Sequence, residues 1–426
     1  MRLASRMFES LRVPAFRDLF IGMLASYIGM YMGMVARGYL AYEITGSATV
    51  LGVVTVASGV PMLLLSPVGG VLADLMNRRR ILIDSQIFMV ISSLLIAVLI
   101  HLDLIAIWHL AFFGFLQGVL FTINMPARSS ALPHLVGRPL LPSAIGLTNS
   151  GRNLMSVVAP AIAGTVIAIP WLGTAGAFDI AAVFYVLATL LMLRLPKSLA
   201  QGRKSTQTAF GQQMVDGFAY IFTQRPLLTL LVLGLIPIVF GMPLQSFMPV
   251  FQADVLGVGS LELGLLLSAV GVGGTLGSLI IAPLAESKHS HVLQLVAGVF
   301  FGITLIAFAN STSFNLSLIL VGLVGFAGNA STGFNSALLM LRTEEAYYGR
   351  VMSIYMMNWS LMTLFTLPLG ILVDRLGAPL VTSAAAMGII VFMGAAYFLF
   401  RDVRKGEHHS DVVYVDSSPA AAEKGA

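Results

Sequence analysis

Thirty consecutive residues, Ile44 to Ala73, pass without one Asp, Glu, Lys or Arg. A helix of about 20 mainly apolar residues is enough to cross a ~30 Å hydrocarbon core. Comparable uncharged runs recur at 104–127, 226–253, 263–285, 351–373 and 379–400. Only 10% of the residues are charged and the mean hydropathy is +0.90, whereas a soluble domain carries about 25% charge. So little charge cannot cover the surface of a soluble domain of 426 residues. The expected fold class is an all-α polytopic membrane protein, with the lipid bilayer as its main surroundings.

Breaks at charges, Pro-Gly clusters and polar runs divide the chain into twelve spans. Their limits are 17–42, 47–74, 81–101, 105–127, 140–168 and 174–194 in one group. The second group runs 226–252, 261–286, 291–309, 314–341, 350–373 and 379–400. The basic lead "MRLASRMFESLRVPAFRD" has no small-x-small cleavage site after it, so the first span is expected to be retained. With the N-terminus inside, nearly all Lys and Arg fall in inner segments, and only Arg37 and Arg375 sit near the outer face. The positive-inside rule therefore places both termini in the cytoplasm and the chain in the cell (inner) membrane. The same rule accounts for the net charge of +5 without any nucleic-acid partner.

Four segments result. Residues 1–194 form an N-terminal six-helix half, and 226–400 form a C-terminal one. Residues 195–225 are a cytoplasmic linker in which Phe210, Met214, Phe218 and Phe222 recur every fourth position. That spacing fits an amphipathic helix on the membrane surface, with a loose linker as the alternative. Residues 401–426 read as a disordered cytoplasmic tail.

Shifting the chain by 212 residues aligns the halves. Leu51, Gly52, Ala57, Gly59, Val60, Leu64, Ser66, Leu72 and Ala73 meet identical residues from Leu263 to Ala285. The same shift carries Gly137-Arg138 onto Gly349-Arg350. Six helices per half is an even number, so the repeats are parallel and related by an axis along the membrane normal. One large class of secondary transporters is built that way, with its site between the halves near the midplane.

The stretch "GGVLADLMNRRRIL" resembles the signature of the major facilitator superfamily, Gly-x-Leu-Ala-Asp-Arg-x-Gly-Arg-Arg between helices 2 and 3. Gly70, Leu72, Ala73, Asp74, Arg78 and Arg79 match it, while Leu75 and Asn77 depart. "LAYEITGSATVLG", "PARSSALPHLVGRPLLPSAIGLTNSGRNL", "PVFQADVLGVG" and "GRVMS" are similar to its branch of enterobactin, macrolide and multidrug exporters. The resemblance implies the major facilitator fold, twelve transmembrane helices in two six-helix repeats. It also implies a clasp at the cytoplasmic ends of the halves, to which Asp74, Arg78 and Arg79 belong, with Glu286 as the degraded second copy. A positive-inside cluster with one stray carboxylate is the competing reading of those residues. Helix 5 only partly matches the family's antiporter motif, with Met155 and alanines where glycines are expected.

By the same resemblance, helices 1, 4, 7 and 10 line the substrate cavity. Polar side chains at membrane depth are costly and tend to face a cavity or a partner helix. Gln117, Phe121 and Asn124 share one face of helix 4, and the repeat sets Asn329 opposite Gln117. Helix 1 adds Tyr27, Tyr31 and Met34, and helix 7 adds Gln245. Interhelical hydrogen bonding is the alternative for each. Arg152 is the basic residue inside a span. It either snorkels to the inner face or enters the cavity as a fixed positive charge that would favour anionic substrates.

The expected function is export of small amphipathic organic molecules, drug- or siderophore-like, by a secondary transporter using alternating access. No P-loop is present, and proton coupling is implied only by the family, since no carboxylate lies near a span centre. A membrane-embedded enzyme would need His, Asp or nucleophiles clustered at one depth, and none are. A lipid-handling or receptor-like protein on the same scaffold is the remaining alternative. The chain has no Cys and its seven His lack zinc-ligand spacing, so no metal or cofactor is expected. A small-molecule substrate and a monomer are.

Overall fold

The computed structural model describes residues 8–75, 77–200, 219–284, 287, 289–344 and 347–399. Helices account for the regular structure of these residues. In lipid that is a necessity, because each helix satisfies its own backbone N–H and C=O groups. The first spans are α1 (Pro14–Thr45), α2 (Ala48–Leu75) and α3 (Arg78–His101). A continuous helical stretch, Ile107–Ala168, follows, and then α6 (Gly173–Leu193).

The 62 residues of Ile107–Ala168 would reach about 93 Å as one straight helix, far beyond a bilayer. The chain instead reverses at Gly137, whose φ of 72° and ψ of 169° interrupt the helix. Residues with a Cβ are strained in that region, so glycine is what allows the turn. We therefore label 107–136 as α4 and 138–168 as α5. The second group is α7 (Arg225–Gly241, prolonged by Leu244–Val250 and Phe251–Val255), α8 (Ser260–Leu284) and α9 (Ser290–Ala309). It ends with α10 (Phe314–Arg342), α11 (Tyr348–Leu376) and α12 (Ala378–Leu399). With the long stretch divided, the described residues hold the twelve spans read from the sequence. Most of the linker helix expected around Phe210, Met214 and Phe218 lies outside the described residues, as does the tail from 401. Residues 219–223 are helical, and Phe222 is exposed.

The end of the bundle where α1 begins and α12 finishes is called the near end, and the opposite one the far end. Within each half, α2 packs on the α4–α5 stretch as α8 packs on α10, and α3 packs on α6 as α9 packs on α12. Two seams join the halves, α2 with α11 and α5 with α8. The repeat exchanges α2 with α8 and α5 with α11, so it exchanges the seams as well. At the far end the Tyr42 hydroxyl donates to Asp254 Oδ2 at 2.6 Å. These residues are themselves 212 apart. Repeat mates can touch only on the axis that relates them, so this contact marks it.

The seams depend on close backbone approach. A Cβ added to Gly164 would lie 2.5 Å from the Ser260 carbonyl oxygen, and one on Gly264 would lie 2.5 Å from that of Pro160. The other seam repeats the contact, since a Cβ on Gly370 would lie 2.5 Å from the Ala48 oxygen. Helix pairs in lipid gain from packing rather than from the hydrophobic effect, and small residues let them approach. The two seams also refine the repeat. Ala48 and Ser260 keep the 212 offset, but Gly164 pairs with Gly370, an offset of 206. The first half therefore carries six extra residues between Gly137 and Gly164.

Gly264→Leu should force α5 and α8 apart while leaving each half folded. Spin labels at Trp171 and Leu261, both at the far end, should then report a wider separation than in the parent chain.

Candidate functional site

Four of the residues singled out in the sequence meet in one cavity. Tyr27 of α1 and Gln117, Phe121 and Asn124 of α4 line it, facing Ser85 and Gln86 of α3 and Tyr185 of α6. Its volume is about 40 Å³, room for roughly three waters. Asn124 is buried and its Nδ2 donates to Ser85 Oγ at 2.5 Å. Gln117 accepts from Arg37 Nη2 at 2.5 Å. Arg37 had been placed near the outer face on the sequence, yet it lies two turns inside α1 and is engaged with α4.

Arg128, assigned to the inner segments with the other arginines, also lines this cavity. It is buried, and its guanidinium carbon stands 5.3 Å from the Tyr27 ring centre. Its position was readable. Residues 117, 121, 124 and 128 follow the spacing of a single helix face, so the stripe that began at Gln117 continues onto Arg128.

Gln245 and Asn329 do not join this group. Asn329 Nδ2 donates to the Gly325 carbonyl of its own helix at 3.1 Å, and Gln245 Nε2 lies against Met242 Sδ at 3.9 Å. Both are exposed. Tyr31 stands one turn from Tyr27 and lies within electrostatic reach of Ser156 and Arg152.

The position of Arg152 follows from the α5 seam. Gly164, Pro160 and Ser156 face α8 at four-residue intervals, the last through its carbonyl against Gly271. Arg152 is the next residue on that stripe, and it is exposed. On the other seam Gly370, Leu367 and Thr363 meet Ala48, Gly52 and Gly59, after which Trp359 and Met356 are exposed. The seams thus run from the far end to mid-helix, and the halves part from there toward the near end.

At the near end, Arg78 is buried and its Nη1 lies 2.9 Å from His134 Nε2. Arg79 donates to the Leu195 carbonyl at 2.8 Å and the Leu193 carbonyl at 2.7 Å. The Leu193 carbonyl is the last of α6 and that of Leu195 lies just beyond it, so the cation sits at the helix C-terminus, a favourable place for it. The side chain of Asp74 and all of Glu286 lie outside the described residues. In the second half the Arg–His contact recurs with its partners exchanged, His291 on α9 and Arg342 on α10, 2.8 Å apart.

Residues 5–420 match the family model described as transmembrane secretion effector. The chain belongs to the transmembrane secretion effector family, within the major facilitator superfamily. It is a transporter rather than an enzyme. Macrolide efflux protein A of Streptococcus pyogenes is 22% identical to it, over 85% of this chain and 89% of that protein. The enterobactin exporter of Shigella boydii serotype 4 is 27% identical, over 79% of this chain and 80% of that one. Among solved structures, a nucleoside transporter superposes with a TM-score of 0.72 at 12% identity, covering 90% of this chain and all of that chain.

A transporter of this architecture needs a closure that can release, and the far end carries one. Asp374, on the last turn of α11, accepts from Ser47 Oγ at 2.7 Å and from the backbone N–H groups of Ala48 at 2.6 Å and Thr49 at 2.9 Å. Those N–H groups open α2 and have no partner within the helix. A carboxylate there also meets the positive end of the helix dipole. Asp374 caps a helix of the opposite half, so the cap must break when the seam opens. Asp374→Asn should weaken it by about 1–2 kcal/mol. Thr366 is fully buried, and a cysteine placed there in this Cys-free chain should be shielded from thiol reagents. Adding Asp374→Asn should raise its labelling rate roughly tenfold.

Proposed function

We propose that the protein exports small amphipathic organic molecules across the inner membrane by alternating access, with both termini in the cytoplasm. The observation that carries this reading is the pair of seams that close the far end and end at mid-helix. A cavity closed at one end and open at the other is one of the two states alternating access requires. The Lys and Arg distribution supports making the open end cytoplasmic. Arg12, Arg17, Arg79, Arg80, Arg138, Arg194, Lys197, Arg225 and Arg342 all border the near end, while Arg375 borders the far one. A substrate would enter from the cytoplasm and leave when the Asp374 cap and the seams open.

In this reading Tyr27, Tyr31, Gln117, Phe121, Asn124 and Arg152 contact the substrate from the first half, and Gln245 and Asn329 do so from the second. Arg78 and Arg79 belong to the near-end closure with Asp74 and Glu286, formed only in the outward-open state. The relatives, a macrolide efflux protein and an enterobactin exporter, favour a bulky amphipathic substrate carried outward. The path is built within one chain, so a monomer is sufficient.

Two measurements test the reading. Proteoliposomes holding the purified protein and loaded with a macrolide should take up labelled macrolide by counterflow, and protein-free liposomes should not. Failure of a panel of amphipathic macrolides, dyes and siderophores to exchange would remove the export function. Separately, Arg152→Cys should react with a membrane-impermeant thiol reagent applied at the cytoplasmic face, and substrate should slow the reaction. A cysteine inert from that face would place Arg152 outside the path.

A further inference from the structure

The first half carries three arginines at membrane depth that the second half lacks. The 212-residue offset puts Pro249 in the place of Arg37 and Met340 in that of Arg128, and the 206-residue offset puts Asn358 in that of Arg152. The second half builds the same helix arrangement without these charges, so the scaffold does not need them. An ionised group held at membrane depth for no structural reason points to function.

Of the three, Arg128 is the least accounted for. It is 6% exposed, and its Nε is buried with no hydrogen-bond partner. Its contact is with the face of the Tyr27 ring, and among the described residues no carboxylate pairs with it. The Arg37 Nε is unpartnered too, but that side chain is held by Gln117 through Nη2. A second unpartnered polar group lines the same cavity. Gln86 is 3% exposed and its Oε1 is buried without a donor. Turning that amide about its last bond would present its NH₂ instead. A cation and an amide, both unsatisfied and both bordering one small cavity, match an acid group that brings negative charge and acceptor oxygens. Met30, Met89 and Phe121 complete the wall with polarizable, adaptable surface.

We propose that this cavity seats the acidic group of an organic anion, a carboxylate or ionised phenol, with Arg128 as its ion-pair partner and Gln86 as a hydrogen-bond donor. The cavity of about 40 Å³ holds the acid group alone, and the apolar body of the molecule extends past Phe121. The planar guanidinium offers two parallel N–H donors to a carboxylate while it stacks on Tyr27. That the occupant is also the exported substrate rests on the exporter reading. Binding itself does not.

The test uses the full chain in maltoside detergent free of anionic lipid, with 2-naphthoate as the probe and 2-naphthamide as its neutral isostere. Isothermal titration should give an affinity for the acid roughly tenfold or more above that for the amide. Arg128→Gln should bring the acid down to the level of the amide, and Arg128→Lys should retain part of the preference. Gln86→Leu, which leaves every charge in place, should weaken the acid alone and keeps the test open if the Arg128 variants fold poorly. Equal binding of acid and amide, no binding of the acid, or a preference untouched by both Arg128→Gln and Gln86→Leu would overturn the proposal. Displacement of naphthoate by phosphatidylglycerol or inorganic phosphate at comparable concentrations would assign the site to a lipid headgroup or free phosphate and also overturn it. Intact naphthoate binding with failed counterflow would remove the exporter reading and leave the anion site standing.

Discussion

Two helix crossings at the far end hold the rest of the molecule in register. At Gly164 against Ser260, and at Gly370 against Ala48, the backbones come closer than any Cβ would permit. Each half is a bundle that could pack by itself, and lipid provides no hydrophobic force to press one half against the other. Contact therefore has to come from close van der Waals approach, and the sequence supplies glycine where it occurs. The glycines end where the seams end. Beyond Gly59 and Gly271 the facing positions include Trp359, Met356 and Arg152, all exposed, and the space between the halves begins.

The scaffold is symmetric and its chemistry is not. Tyr42 meets its own repeat mate Asp254 on the axis, and both seams are built in the same way. Yet the arginines at membrane depth that lack a counterpart across the repeat lie in the first half, where Arg37 and Arg128 stand beside Gln117 and Asn124 of α4. The Asp374 cap likewise has no counterpart at the repeat position. Asp374 caps α2, while the corresponding position on α5, at the 206-residue offset, is Ala168. A two-fold scaffold needs matching surfaces at its seams but only one binding site and one cap. Divergence has accumulated where symmetry carries no packing load.

Much of the fold was legible in the sequence, because hydropathy reports the largest energy involved, the transfer of side chains into lipid. Twelve spans follow from it, and the 212-residue repeat follows from residue identities such as Gly52 with Gly264. Hydropathy says nothing about partners. It placed Arg37 by distance from a helix end and missed that α1 extends to Thr45, which takes this arginine into the bundle. It assigned Arg128 to the inner segments because the charge was read as the end of a span, although the helix runs on past it. Tyr27, Gln117, Phe121 and Asn124 were found by helix-face spacing, a local property, and they do share a cavity. The idea that Asn329 faces Gln117 required the relative placement of two halves, which no local pattern encodes. The six extra residues in the first half were hidden for the same reason: the offset is 212 up to Gly137 and changes beyond it, and only the seam contacts register the change.

The central claim is that the two ends open in alternation about the paired seams. Spin-label distances at both ends, measured in lipid nanodiscs with and without an amphipathic ligand, test it directly. One pair, at Arg80 and Leu341, reports the near end, and another, at Leu104 and Leu376, reports the far end. The account predicts a long near-end and a short far-end distance without ligand, with any shortening of the first matched by lengthening of the second. Distances that change in the same direction at both ends, or a near end that stays open while the far end opens, would contradict it.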